Sequence, residues 1–215
     1  MNVCSGRGIA LVTGACTPLG RAVVGWLARQ GPLVAVVDGD GARLAALVER
    51  WQGEGLRIAG RQVDVTSSAA VDALVDQVER EFGPVDALVA TAGELRPGPP
   101  LSLTDEDWAH SFAVNADGVF HVSRAVAARM VVRERGTIVT VAPPTAAVPR
   151  SNVVAHAASR AAAVAYTECL ALEVASRGVH CAVVTSDDAD RVVDEVRFLL
   201  ADAFAGPAVP RPRSA

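Results

Sequence analysis

Thr13-Gly14-Ala15-Cys16-Thr17-Pro18-Leu19-Gly20 follows the apolar run Ile9–Thr13 and opens a helical pattern. A turn of this kind, between a strand and a helix, aims backbone N–H groups and the positive helix end at one spot. A pyrophosphate fits there. Glycines let the backbone come close to phosphate, so Gly14, Leu19 and Gly20 are candidate binding positions. Alone, the turn is equally compatible with an ordinary tight bend. Asp38 strengthens the reading. It ends the next apolar run, Leu33–Asp38, 18 residues after Gly20. A carboxylate there can bind the ribose hydroxyls of NAD and would repel the 2′-phosphate of NADP.

Working outward, further apolar runs occur at Leu56–Val63, Val85–Thr91, Thr137–Ala142 and Val179–Thr185. Most are continuously apolar, as strands buried on both faces must be. Helical stretches lie between them. Val71, Leu74, Val75, Val78 and Phe82 mark one apolar face. Thr104 is a candidate N-cap before acidic Asp105, Glu106 and Asp107. This alternation predicts right-handed βαβ units in a single doubly wound parallel sheet of Rossmann type. No repeat or linker divides the chain. One domain over residues 1–205 is expected, with a proline-rich tail over 206–215.

Composition narrows the function classes. The 215-residue chain has a net charge of −4 and no basic face, so nucleic acid is not an expected partner. No apolar run approaches the roughly 20 residues that span a bilayer. Met1–Gly8 lacks the charged and apolar regions of a signal peptide. Cys4, Cys16, Cys169 and Cys181 show no paired spacing. Reduced thiols in a cytoplasm, with no metal site, are the expectation.

With these motifs in hand, the sequence resembles the short-chain dehydrogenase/reductase family over nearly its whole length. Thr13-Gly14 to Gly20 is similar to the family's TGxxxGxG turn. Asp64-Val65 resembles its adenine-contacting pair, and Ala92-Gly93 the end of its NNAG segment. Asn115 resembles the helix asparagine that anchors a catalytic water chain. Residues 92–98, Phe112–Asn115, Gly136–Ala142 and Ala147–Arg150 are most similar to members acting on an aryl-acid dihydrodiol. The resemblance implies NAD as cofactor and a small-molecule substrate. It also implies a homo-oligomer, or a hetero-oligomer with an active relative, paired through helices at about 105–133 and 151–177.

The chemistry departs from that pattern. The family's Ser, Tyr and Lys fall on Pro143, His156 and Arg160. Proline supplies neither hydroxyl nor N–H. Arg160 keeps the charge but changes its shape. His156 can still move protons, and it shares a helix face with Arg160 four residues on. Pro18 replaces the middle glycine of the turn and crowds the phosphate approach, although proline suits a helix's first position. Ala90 replaces an asparagine. Thr185-Ser186-Asp187 stands where the family has Pro-Gly, and the substrate lid is missing. The family's glycine-flanked final strand is not evident in Gly206–Ala215. Cys16 lies at a helix start, where a thiolate would be favoured, and is read as a small turn residue unless reactivity is shown.

Two function classes follow. One is a divergent oxidoreductase acting on a small cyclic alcohol or dihydrodiol, with His156 as acid/base, Arg160 as cationic support and Asn115 in the relay. A non-redox dehydratase or isomerase is a variant of it. The other is a non-catalytic member serving as a partner subunit or ligand-binding protein.

Overall fold

The computed structural model describes residues 8–204. Cys4, the tail at 206–215 and the search for a last strand therefore lie outside the described residues. Six strands form one parallel sheet: β1 (Ile9–Thr13), β2 (Leu33–Asp38), β3 (Ile58–Gln62), β4 (Ala87–Ala90), β5 (Gly136–Ala142) and β6 (Val179–Thr185). Their order is β3-β2-β1-β4-β5-β6, so the direction in which strands are added reverses between β1 and β4. The crevice at this switch point is where such sheets bind ligands. β3 and β4 are shorter than the apolar runs at Leu56–Val63 and Val85–Thr91. Their outer residues lead into loops rather than extending the ladder.

Helices cover both faces. α1 (Pro18–Gln30), α2 (Gly41–Gly53) and α7 (Ala189–Leu199) pack on one side, with Val23, Leu27, Leu44, Trp51, Val192 and Val196 in the core. α3 (Ser68–Phe82), α5 (Gly118–Val132) and α6 (Val154–Val174) cover the other. On α3, Val71, Leu74, Val75 and Val78 are buried as their spacing requires. Each such side chain is worth about 1.5–3 kcal/mol of transfer free energy. Phe82 departs from that face. It is exposed at the helix end, where the Arg61 guanidinium lies 5.6 Å from its ring centre.

The long helix expected at 105–133 is interrupted. α4 (Asp105–Phe112) is capped by Thr104, whose Oγ1 accepts from Asp107 N. A π-helical turn, Ala113–Asp117, then separates α4 from α5. Such a turn inserts an extra residue and rotates a side chain off the regular face, and it recurs at functional sites. Here it carries Asn115, which is fully buried. The second long helix is α6, ending in a 3₁₀ turn at Ala175–Arg177. Only three residues join β6 to α7, whose N-cap Asp188 accepts from Arg191 N. No helix among the described residues is long and apolar enough to cross a membrane.

Candidate functional site

The turn after β1 is held by glycines that nothing else can replace. Gly14 has φ +71°, and a Cβ there would collide with the backbone of Ala92. A Cβ on Gly20 would overlap the Gly14 carbonyl oxygen. Thr91 Oγ1 donates to Thr13 O at 2.7 Å, tying the turn to the end of β4. Much of the donor capacity at the start of α1 is spent internally. Thr17 Oγ1 accepts from Gly20 N at 3.0 Å, and Pro18 has no N–H. Leu19 N–H is the amide left there for a ligand.

The structure gives Asp38 a structural task. Its Oδ2 accepts from Cys16 N at 2.8 Å and its Oδ1 from Asp40 N at 3.1 Å. Each oxygen keeps a second lone pair, so ribose hydroxyls can still be bound. A pocket of about 480 Å³ runs from Asp38, Gly39 and Arg43 past Gly14 and Thr17 to Gly93, Glu94 and Val114. Asp64 and Val65 line it too. The Asp64 carboxylate is partly used, since Oδ1 accepts from Thr66 N and Oγ1 at 2.9 and 2.8 Å. Val65 is fixed by His121, whose Nδ1 lies 3.0 Å from Val65 O. The adenosine and phosphate portions of a dinucleotide fit this lining: acidic groups for the ribose, an amide for phosphate and glycines for close approach.

Cys16 is not the activated thiol that its place at a helix start suggests. Burial and the neighbouring Asp38 carboxylate push it up to about 11. Desolvation and a facing negative charge outweigh the helix end. Among the described residues, no group of three or more His, Cys, Asp or Glu side chains could hold a metal ion.

The second half of the site converges on the backbone of Glu94. Asn115 Oδ1 accepts from Glu94 N at 2.9 Å, and Asn115 Nδ2 donates to Glu94 O at 3.0 Å. His156 Nδ1 lies 3.2 Å from the same carbonyl oxygen. Asn115 Nδ2 also donates to Ser159 Oγ at 3.1 Å, which joins the π-turn to α6. Burial, and then the charge of Arg160, hold the His156 imidazole below its ordinary value. Arg160 is buried, and a Cβ on Gly93 would overlap its Nη2. Burial lowers Arg160 to about 10, so it remains charged near neutrality. Gly93 therefore makes room for a guanidinium as well as lining the pocket.

Pro143 begins the loop after β5, and its carbonyl closes a 3₁₀ turn, Pro144–Ala146. The hydroxyl in that turn belongs to Thr145, whose Oγ1 is buried without a partner. Thr145 was not a candidate from sequence, because no spacing marks it. Glu94 was also missed. Its carboxylate meets His110 Nε2 at 2.7 Å and Arg96 Nε at 2.8 Å, which holds it below the usual carboxylate range. Arg96 in turn lies 3.5 Å from Asp107 Oδ1 on α4.

Comparison with known proteins agrees with this architecture. The sequence profile of the short chain dehydrogenase family matches residues 8–189. The chain is 45% identical over 177 residues to 2,3-dihydro-2,3-dihydroxybenzoate dehydrogenase of Bacillus subtilis (strain 168), covering 82% of this chain and 68% of that protein. It is 36% identical over 171 residues to D-threitol dehydrogenase of Mycolicibacterium smegmatis, covering 80% and 66%. It therefore spans about two thirds of the length of either. Among solved structures, NAD+-bound xylitol dehydrogenase superposes with a TM-score of 0.80 at 31% identity, over 83% of this chain and 69% of that one. Gluconate 5-dehydrogenase from Burkholderia cenocepacia, in complex with NADP and tartrate, gives 0.84 at 25% identity, over 95% and 94%. The six-stranded sheet, the turn after β1 and these matches have one reading: the chain belongs to the short-chain dehydrogenase family.

Proposed function

We propose that the chain is a divergent, cytoplasmic oxidoreductase that binds NAD and oxidises a small cyclic dihydrodiol of the aryl-acid type, with His156 as the base. One observation carries this reading: the His156 Nδ1 contact with Glu94 O at 3.2 Å. A carbonyl oxygen can only accept, so Nδ1 bears the proton and Nε2 presents the lone pair. The lowered proton affinity of His156 keeps it neutral and able to take a hydroxyl proton at neutral pH. NAD, when bound, supplies the hydride acceptor. Asn115 fixes Glu94 and so the position of His156. Arg160 places a positive charge one turn along α6, where it would favour an alkoxide. Asp38 supports NAD over NADP, and the similarity to a dihydrodiol dehydrogenase supports the substrate class.

The non-catalytic reading has its own support. Pro143 provides no hydroxyl, and His156 and Arg160 do not line the pocket. We further propose self-association, or pairing with an active relative, through α4–α5 and α6, where Phe120 and Leu172 are exposed. Light scattering and pull-down would test it, and a lone monomer would remove it.

The decisive assay offers a dihydrodihydroxybenzoate with NAD and follows both NADH and aromatic product. NADH formation lost in His156→Phe is the expected result. Product without NADH would make the chain a dehydratase. Neither signal would leave the non-catalytic reading.

A further inference from the structure

The guanidinium of Arg160 is in an unusual position for a core side chain. It is charged and buried, and its Nε and Nη1 atoms have no hydrogen-bond partner. Buried donors almost always find partners, and an unpaired buried charge is costly. Packing does not explain it, because an apolar side chain would fill the space without that cost. Its location is informative. It rests on Gly93, at the end of the pocket that starts at Asp38. The pocket stops at Gly93, Glu94 and Val114, while His156 and Arg160 are only 8% and 5% exposed and lie beyond it. A dinucleotide laid along Asp38, Leu19 and Gly93 would therefore meet this wall with its reactive end.

We propose that Arg160 is a gate: seated on Gly93, it admits the adenosine diphosphate portion of a dinucleotide and shuts out the nicotinamide riboside. The proposal rests on the assignment of the pocket to NAD. The two vacant donors make the seated position a poor resting place for the guanidinium. Displacing it from Gly93 offsets what contacts to the ribose hydroxyls gain, so the nicotinamide riboside adds little affinity until the arginine is replaced. The pocket would then be continuous with His156.

Calorimetry with ADP and NAD, on the whole chain and on Arg160→Lys, tests this. Lysine keeps the charge on a narrower end group. In the wild type, the two affinities should agree within about threefold. In Arg160→Lys, NAD should tighten by about tenfold or more while ADP stays put. Arg160→Met, which removes the buried charge, should shift in the same direction. A wild-type preference for NAD above about threefold overturns the gate. So does an NAD-to-ADP ratio that fails to rise in both variants. If ADP and NAD bind neither the wild type nor the variants, the cofactor assignment fails and takes the gate with it.

Discussion

His156 Nδ1 and the carbonyl oxygen of Glu94 lie 3.2 Å apart, joining residues separated by 62 positions in the chain. The same oxygen accepts from Asn115 at 3.0 Å, so the imidazole and the π-turn share one anchor. That anchor sets the tautomer of His156. Burial and Arg160 lower its affinity for a proton from the ordinary value of 6.5. Any rate that needs His156 as base should stay level through neutral pH and fall only on acidification below about 6.5. Stability should follow the same window. The unfolded chain takes up the proton near 6.5, and the folded chain only at lower pH. The contribution is therefore complete above about 6.5 and lost as pH falls toward the folded value. Urea unfolding at pH 7.5 and 5.5 checks this. His156→Gln should lose less on acidification than the wild type, and an equal loss would remove the assignment.

Gly93 and Arg160 should be coupled in stability. A methyl group at Gly93 meets the guanidinium. Gly93→Ala should therefore cost about 1–3 kcal/mol, as overpacking does. In an Arg160→Met background the same change should cost less than about half as much. A double-mutant cycle by urea denaturation reads the difference. Additive losses would mean that the two do not touch.

Asp38 should show a double role. Asp38→Ala leaves the Cys16 amide without its 2.8 Å partner, which predicts a stability loss of about 1–3 kcal/mol. It should also weaken NAD and narrow its advantage over NADP. Calorimetry with both cofactors checks the second part, and unchanged NAD affinity would reduce Asp38 to a scaffold residue.

Pro18→Gly should tighten NAD several-fold. It restores an amide at the start of α1 and removes a ring from the phosphate approach. The expected cost is about 1 kcal/mol or less of helix stability, from losing proline's fixed φ. Weaker binding would mean that the ring helps to order the turn.

Cys16 should resist thiol reagents. With its thiol raised to about 11, roughly one molecule in a thousand is thiolate at pH 8. Cys169 is exposed and should label before Cys16. Mapping of labelled peptides by mass spectrometry distinguishes them, and early labelling of Cys16 would contradict its burial.

The parallel sheet and the turn after β1 were legible in the sequence, because both rest on local rules. Continuous apolar runs such as Leu33–Asp38 demand a strand covered on both faces, and glycines such as Gly14 mark backbone that no side chain tolerates. The placing of Pro143, His156 and Arg160 at the family's Ser, Tyr and Lys positions rests on spacing alone and stays a proposal. The interruption of the helix at Asn115 was not legible. A π-turn costs little locally and is chosen by what the displaced side chain then reaches. Glu94 was missed for a related reason. Its importance lies in its backbone N–H and C=O, which every residue shares and no motif reports. The seat of Arg160 on Gly93 was also beyond the sequence. A side chain's choice between a pocket and a core depends on packing among β4, the π-turn and α6. Those elements are far apart along the chain, and only the fold brings them together.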